Sequence, residues 1–347
     1  VRARGMSAGE TSCLHLLIPG LLDRLPDWQA SYGTVGRYPH LEWLLARARL
    51  ETGDDLGPEA SLSALFGVPG SVPAGVLRRL ALTGERDTGL WMCMDPVHLE
   101  PGITDLVLSG PAGLRLTQDE AQGLVGRINE HLSQDGLSIE ATAPGHWHLR
   151  LPEDSPMPQT HSLGQVLGRP INALLPAGPD ASVWHQRINE LQMVLFDAPE
   201  NLARESRGLA TVNSLWPWGA GRLPRDLRAP ASRVYGDDLL LAGLARCAGI
   251  STDPPPDSAD GVLETAGSRL VYLDPLLLDV AGDDLEGWQA SMEGLERAWF
   301  APLRQALGSS RLKRLVIHSC RGVVFTLEAG ARWQFWKKSR PLPESMT

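Results

Sequence analysis

The sequence predicts an α/β protein: a mostly parallel sheet flanked by helices, interrupted by an inserted α+β domain. Three observations lead there. Short apolar runs such as Cys13–Ile18, Arg269–Asp274 and Arg314–Ser319 end at polar or loop-forming residues and suit buried strands. Helical periods separate them. Between about residues 91 and 200 the order becomes strand, strand, helix, strand, strand, a compact α+β unit. The expected division is therefore a discontinuous core, residues 12–90 and 201–340, around an insertion at 91–200.

Composition bounds the class. The 347 residues suffice for one large or two medium domains, and 43% hydrophobic with 21% charged residues is ordinary for a soluble globular chain. A net charge of −9 argues against general binding to nucleic acid or to an anionic membrane, since both need a positive surface. The basic, aromatic run Arg332 to Arg340 reads as a solvated tail. Cys13, Cys93, Cys247 and Cys320 lie far apart without a CxxC pair, which suits reduced thiols in a cytoplasmic protein rather than a structural zinc site. No apolar run approaches a membrane span, and Leu14–Leu22 is too short and too broken by Pro19 and Gly20 for a signal core.

The elements follow in order. Cys13–Ile18 is a strand broken at Pro19-Gly20. A helix starts after Pro39 with Leu41, Leu44 and Leu45 on one face, and another runs from Gly57 to Phe66. Leu90–Met94 is a strand. Leu106–Leu108 and Leu114–Leu116 read as short strands about the turn signal Gly110-Pro-Ala-Gly113. Thr117-Gln-Asp-Glu120 is a capping box opening an amphipathic helix through Leu132. Leu137–Ala141 and His146–Leu151 alternate as strands. Ile188, Leu191 and Leu195 mark a helix that Pro199 stops, and Asn201–Arg207 is a short charged helix or turn. Leu209–Trp218, running into Gly219-Ala-Gly221, is expected to return the chain to the main sheet and floor a ligand crevice. Then come a helix at Asp237–Ile250, the rigid loop Asp253-Pro-Pro-Pro-Asp257, a long helix at Asp284–Leu307 and a last strand at Gly322–Leu327.

Candidate chemistry gathers where strands end. Asp274, Asp279, Asp283 and Asp284 follow one strand, His318 ends the next, and Asp23 lies in the loop after the first. Asp and His are metal-ligand types, and open α/β sheets hold ligands at this edge. The competing reading is that Asp283 or Asp284 caps the helix that follows. His146 and His148 share a strand face, as do Trp216 and Trp218, which read as core anchors more than as a stacking platform. Gly219-Ala-Gly221 precedes no helix and so lacks the context of a phosphate loop.

Asn201-Leu-Ala-Arg-Glu-Ser-Arg-Gly208, Thr211-Val-Asn213 and Trp216-Pro-Trp-Gly-Ala-Gly221 together resemble the return segment of archaeal-type cofactor-independent phosphoglycerate mutases, in the alkaline phosphatase superfamily. Pro39-His-Leu-Glu-Trp-Leu, Glu120-Ala-x-x-Leu124, Gly145-His-Trp-His-Leu149 and Asp279-Val-Ala-Gly-Asp283, with Met292-Glu-Gly-Leu-Glu296 and Pro302, resemble further family segments in the same order. Trp91-Met-Cys-Met-Asp-Pro-Val-His-Leu99 and Asn189-Glu-Leu-Gln-Met193 look like the bacterial branch of RpfE-type regulatory proteins.

The resemblance implies an alkaline-phosphatase-like core with a bimetallic site, and the sequence departs from it at the ligands. The metal-binding Asp of the first strand is replaced by Ile18-Pro19-Gly20, the nucleophilic Ser falls near Gly57, and the His of the D-x-A-G-H pattern is Asp283. A later Asp falls near Ala298 or Trp299, and the last strand's Asp-His reads His318-Ser319-Cys320. A two-metal mechanism needs carboxylates and imidazoles to hold both ions beside an activated nucleophile. The expectation is therefore a non-catalytic relative with a regulatory or binding role and no cofactor. Its cleft residues would be Asp23, His98, His161, Asn213, Trp216, Trp218, Asp279, Asp283 and His318, meeting an unknown small molecule or protein partner. The alternative is a metal-dependent phosphoglycerate mutase or phosphatase with a rebuilt site. There Ser61 or Ser63 would be the nucleophile, and Asp23, Asp279, Asp283 and His318 would hold manganese or zinc.

Overall fold

The computed structural model describes residues 12–342 except Pro69, Ile103, Thr104, Pro156 and Phe335. The described strands are β1 Cys13–Leu17, β2 Arg49–Thr52, β3 Leu90–Pro101, β4 Leu106–Ser109, β5 Ser138–Ala143, β6 His146–Leu151, β7 Ser214–Gly221, β8 Arg233–Tyr235, β9 Thr252–Asp253, β10 Arg269–Tyr272, β11 Arg314–His318 and β12 Val323–Glu328. The chain divides into two compact units, one of Val1–Gly67, Arg228–Leu241 and Ala248–Thr347, the other of Val68–Leu227 and Ala242–Cys247.

The first unit is built on a seven-stranded sheet in the order β2-β12-β11-β1-β10-β8-β9. β11, β1, β10, β8 and β9 run parallel, while β12 pairs antiparallel with β11 and β2 antiparallel with β12. Leu14, Leu16 and Ile18 turn to one face, where Trp28, Trp288, Met292 and Phe300 form the core with them. Leu17, on the other face, is equally inaccessible, as expected of a parallel strand covered on both sides. Gly20 turns the chain at the end of β1 with φ +84°, and a Cβ there would meet the Leu276 Cβ at 2.8 Å. The helix expected over Asp284–Leu307 is three pieces: Leu285–Leu295, a π turn at Glu296–Phe300, and Ala301–Gly308.

The second unit is an antiparallel sheet in which β3 pairs with β4, β6 and β7, and β6 pairs with β5. Met92, Met94, Trp147 and Leu149 face the core under the Gln118–Leu132 and Ala181–Phe196 helices. The Ala74–Thr83 helix lies against β3 and β7, and Gly75 makes the approach possible, since a Cβ there would sit 2.6 Å from the Met92 Cα. That packing joins the Ala74–Thr83 helix to this unit, which begins at Val68.

Two expectations about strands are corrected. β7 does not return to the main sheet; it pairs with β3, Cys93 opposite Trp218 and Asp95 opposite Trp216, and Gly219-Ala-Gly221 lies within the strand rather than in a crevice loop. Alternation shows which face a side chain takes but not which sheet a strand joins. Leu114–Leu116 is not a strand either. Pro111 starts a short helix, Pro111–Leu114, because its fixed φ suits a first helical turn.

Candidate functional site

In the first unit β1, β8, β10 and β11 end on one edge of the sheet, and polar side chains follow each of them. After β1, the Asp23 carboxylate accepts the Gly20 N–H at 3.1 Å and stands 4.0 Å from the Arg321 guanidinium. Arg321 follows β11 and forms an ion pair with Asp55 at 3.1 Å. The Gly57–Leu65 helix brings Ser61 beside the Cys320 thiol. Asp274 follows β10, and Asp237 and Asp238 follow β8. Cys320 holds a left-handed backbone, φ +62°, a conformation that costs a non-glycine residue free energy and is often retained at functional edges.

Desolvation dominates the electrostatics of this edge. Burial raises the Asp23 carboxyl above its ordinary value, with Arg321 opposing. Burial raises Asp274 too, and the neighbouring Asp238 adds to it. The buried Cys320 thiol is pushed up to about 12, helped by Asp23, so it stays protonated and unreactive at neutral pH. The group beside Ser61 is this protonated thiol, which cannot act as a base toward a hydroxyl. Ser63 is buried and its hydroxyl has no hydrogen-bond partner among the described residues.

The other expected ligands point to structural partners. Asp279 accepts the Ser291 hydroxyl at 2.9 Å. Asp283, at φ +54°, accepts the Trp28 indole N–H at 2.6 Å and pairs with Arg24 at 2.9 Å. Of the two acidic residues weighed as caps, Asp284 caps the helix, accepting the Gly287 N–H at 2.9 Å. His318 meets His15 ring to ring, with nitrogens 3.2 Å apart and centroids 5.4 Å apart. Burial, and then His15, push His318 down to about 4, so both rings are neutral at pH 7. Among the described residues no three His, Cys, Asp or Glu side chains are grouped to hold a metal ion. Asp23, Asp279, Asp283 and His318 therefore do not assemble as one ligand set, and a two-metal centre does not fit the donors present.

In the second unit the expected cleft residues brace β3 and β7. Asn213 accepts the Leu99 N–H at 2.7 Å and donates to the Leu99 carbonyl at 2.9 Å. His98 reaches the Thr211 carbonyl at 2.7 Å, and the Trp216 indole donates to the His161 carbonyl at 2.9 Å. Trp218 joins a group that sequence reasoning missed. Its indole donates to Asp95 at 2.7 Å, Asp95 pairs with Arg78 at 2.9 Å, and Arg78 reaches His146 at 2.6 Å. His148 is fully buried, bonded to Thr142 at 2.9 Å and pushed down to about 3 by burial, with Asp95 opposing. The available signal was Asp95 itself. A lone carboxylate inside the apolar run Leu90–Val97 must find a cation or be neutralised.

Sheet order, flanking helices and a polar carboxyl edge define a mixed α/β protein consistent with the alkaline-phosphatase-like class. In sequence the chain is similar to 2,3-bisphosphoglycerate-independent phosphoglycerate mutases. It is 24% identical to that of Methanosarcina mazei over 282 residues, covering 75% of this chain and 70% of the relative. It is 28% identical to that of Methanosarcina barkeri over 159 residues, covering 43% and 39%. In structure it superposes on the PH0037 protein of Pyrococcus horikoshii with a TM-score of 0.57 at 18% identity, covering 97% of this chain and 92% of that one. No family model matches the chain.

Proposed function

We propose that this chain is a phosphoglycerate-mutase-like protein that acts by binding a ligand or partner, in a regulatory role akin to the RpfE-type branch, and not by two-metal phosphoryl transfer. The observation that carries the reading is the state of the sheet edge. Asp23 is held by Gly20 and Arg321, His318 by His15, and Asp279 and Asp283 by neighbouring helices. What that edge offers a ligand is Asp23, Ser61 and Arg321 around a protonated thiol, groups that recognise polar atoms without activating water or a hydroxyl. Four cysteines with no disulfide between them suit a reducing, cytoplasmic setting.

The test is metal content and turnover together. Protein loaded with manganese or zinc and then desalted should retain fewer than one equivalent per chain. It should also show no interconversion of 2- and 3-phosphoglycerate above buffer. Two retained equivalents with turnover would establish the second reading, a mutase with a rebuilt site, which the similarity to curated mutases favours.

A further inference from the structure

On the side of the first unit formed by the Pro39–Arg47 and Ala301–Gly308 helices lies a pocket of about 430 Å³, lined by His40, Trp43, Arg297, Pro302, Arg304 and Gln305 among others. None of the groups at the sheet edge lines it. Arg304, from the lining, lies 4.9 Å from the Trp43 ring centroid; Arg47, outside the lining, stacks on the same indole at 4.5 Å and donates to the Trp43 carbonyl at 3.4 Å. They are close enough that Arg304, after burial, helps hold the Arg47 pKa below its ordinary value. Among the described residues neither has a carboxylate within ion-pair distance. Arg47 is 9% exposed, and its Nε is buried without a hydrogen-bond partner.

Two like charges this close repel, and an anion beside Arg304 offsets that repulsion. The nearby carboxylates are committed elsewhere: Glu296 accepts the His40 and Leu41 N–H groups, and Glu293 pairs with Arg297 at 3.7 Å on the surface. Arg304 donates to the His40 Nδ1 at 3.4 Å, which leaves the opposite ring nitrogen as an N–H donor. The π turn Glu296–Phe300 sits in the pocket's own wall and carries Arg297, and such turns recur at binding sites.

We propose that this pocket binds a phosphate-bearing small molecule. The Arg304 and Arg297 forks and the His40 imidazole N–H, all in the lining, offer more donors, and more charge, than a carboxylate's two oxygens can use; a phosphate dianion matches both. The volume falls within the range of small-ligand sites, about 300–1,000 Å³.

The test uses the whole chain and inorganic pyrophosphate, titrated calorimetrically at fixed ionic strength against a chloride control. Saturable binding of one equivalent is expected. R304Q should weaken it at least tenfold, and R304K should fall between because it keeps the charge and loses the fork. R297Q, on an exposed side chain, should weaken it severalfold and keeps the test open if R304Q does not fold. Absence of saturable binding in the wild type overturns the proposal. So does unchanged affinity in the folded variants at Arg304 and Arg297. Loss of binding in R321Q but not at Arg304 or Arg297 also overturns it, since the anion would then sit at the sheet edge. Failure here leaves the metal and turnover experiment untouched.

Discussion

Arg78 enters the second unit with its charge almost wholly stripped of water, and what keeps it there is one carboxylate. Burial alone would lower its pKa; the facing Asp95 reverses that and raises it. Replacing Asp95 by Asn keeps the shape and removes the counter-charge, which should cost about 3–5 kcal/mol in urea-denaturation midpoint and slope. The double variant R78M/D95L should recover most of that loss, and a double variant as unstable as D95N would remove the ion pair from the explanation. The histidine pair in the first unit makes a second prediction. His318 is pushed down to about 4 in the folded chain against about 6.5 unfolded, so the unfolded chain binds the proton first as pH falls. Its contribution is fully present above pH 6.5 and is lost between pH 6.5 and about 4, up to about 3 kcal/mol. The raised carboxyls Asp23 and Asp274 work in the opposite sense, because they relax as they protonate. The comparison is therefore between wild type and H318N at pH 7, 5.5 and 4.5. The stability difference should move in favour of H318N as the pH drops, and parallel curves would show that His318 does not carry the effect.

The Gln118–Leu132 helix shows what is legible in a sequence and what is not. Its capping box was readable because both partners lie within three residues: Glu120 N–H donates to Thr117 Oγ1 at 3.2 Å, and Thr117 N–H to Glu120 at 2.9 Å. T117A should therefore cost about 1 kcal/mol in thermal or urea unfolding. What no local pattern disclosed is that Glu120 also takes the nearly inaccessible Arg204 at 2.8 Å, from the Pro199–Ser206 helix, and Arg207 at 2.6 Å, just past its end. E120Q should accordingly cost more than T117A, and equal losses would mean that the Arg204 pair contributes nothing. The same limit runs through the fold. The apolar runs of β1, β10 and β11 marked buried parallel strands, whereas β2, exposed along all four residues, gave no apolar signal and exists because β12 offers it an edge. The site divides likewise. That Asp23 and Asp274 follow strands and His318 ends one was plain in the sequence. Whether Asp279 and Asp283 turn to the sheet edge or to a neighbouring helix depends on Ser291, Trp28 and Arg24, and periodicity carries no information about them.

Two cores on one chain imply two opening reactions, and the cysteines report them separately. Cys93 lies on β3 among the side chains around Arg78, with 0% exposure; Cys320 follows β11 in the other unit, with 4%. An alkylating reagent reaches either only when its own surroundings open, so the labelling rate follows the local opening equilibrium. D95N destabilises one core and touches nothing at the sheet edge of the other. If it costs about 3 kcal/mol, Cys93 labelling should accelerate by about a hundredfold while Cys320 labelling barely changes. Iodoacetamide labelling at pH 8, followed peptide by peptide by mass spectrometry, measures both in one sample. The half-buried Cys13 and Cys247 should label early in wild type and variant alike and so mark equal reagent exposure. Equal acceleration at Cys93 and Cys320 would mean that the chain opens as one cooperative body despite its two sheets. Acceleration confined to Cys93 would place the reserve of stability in the unit that carries the parallel sheet.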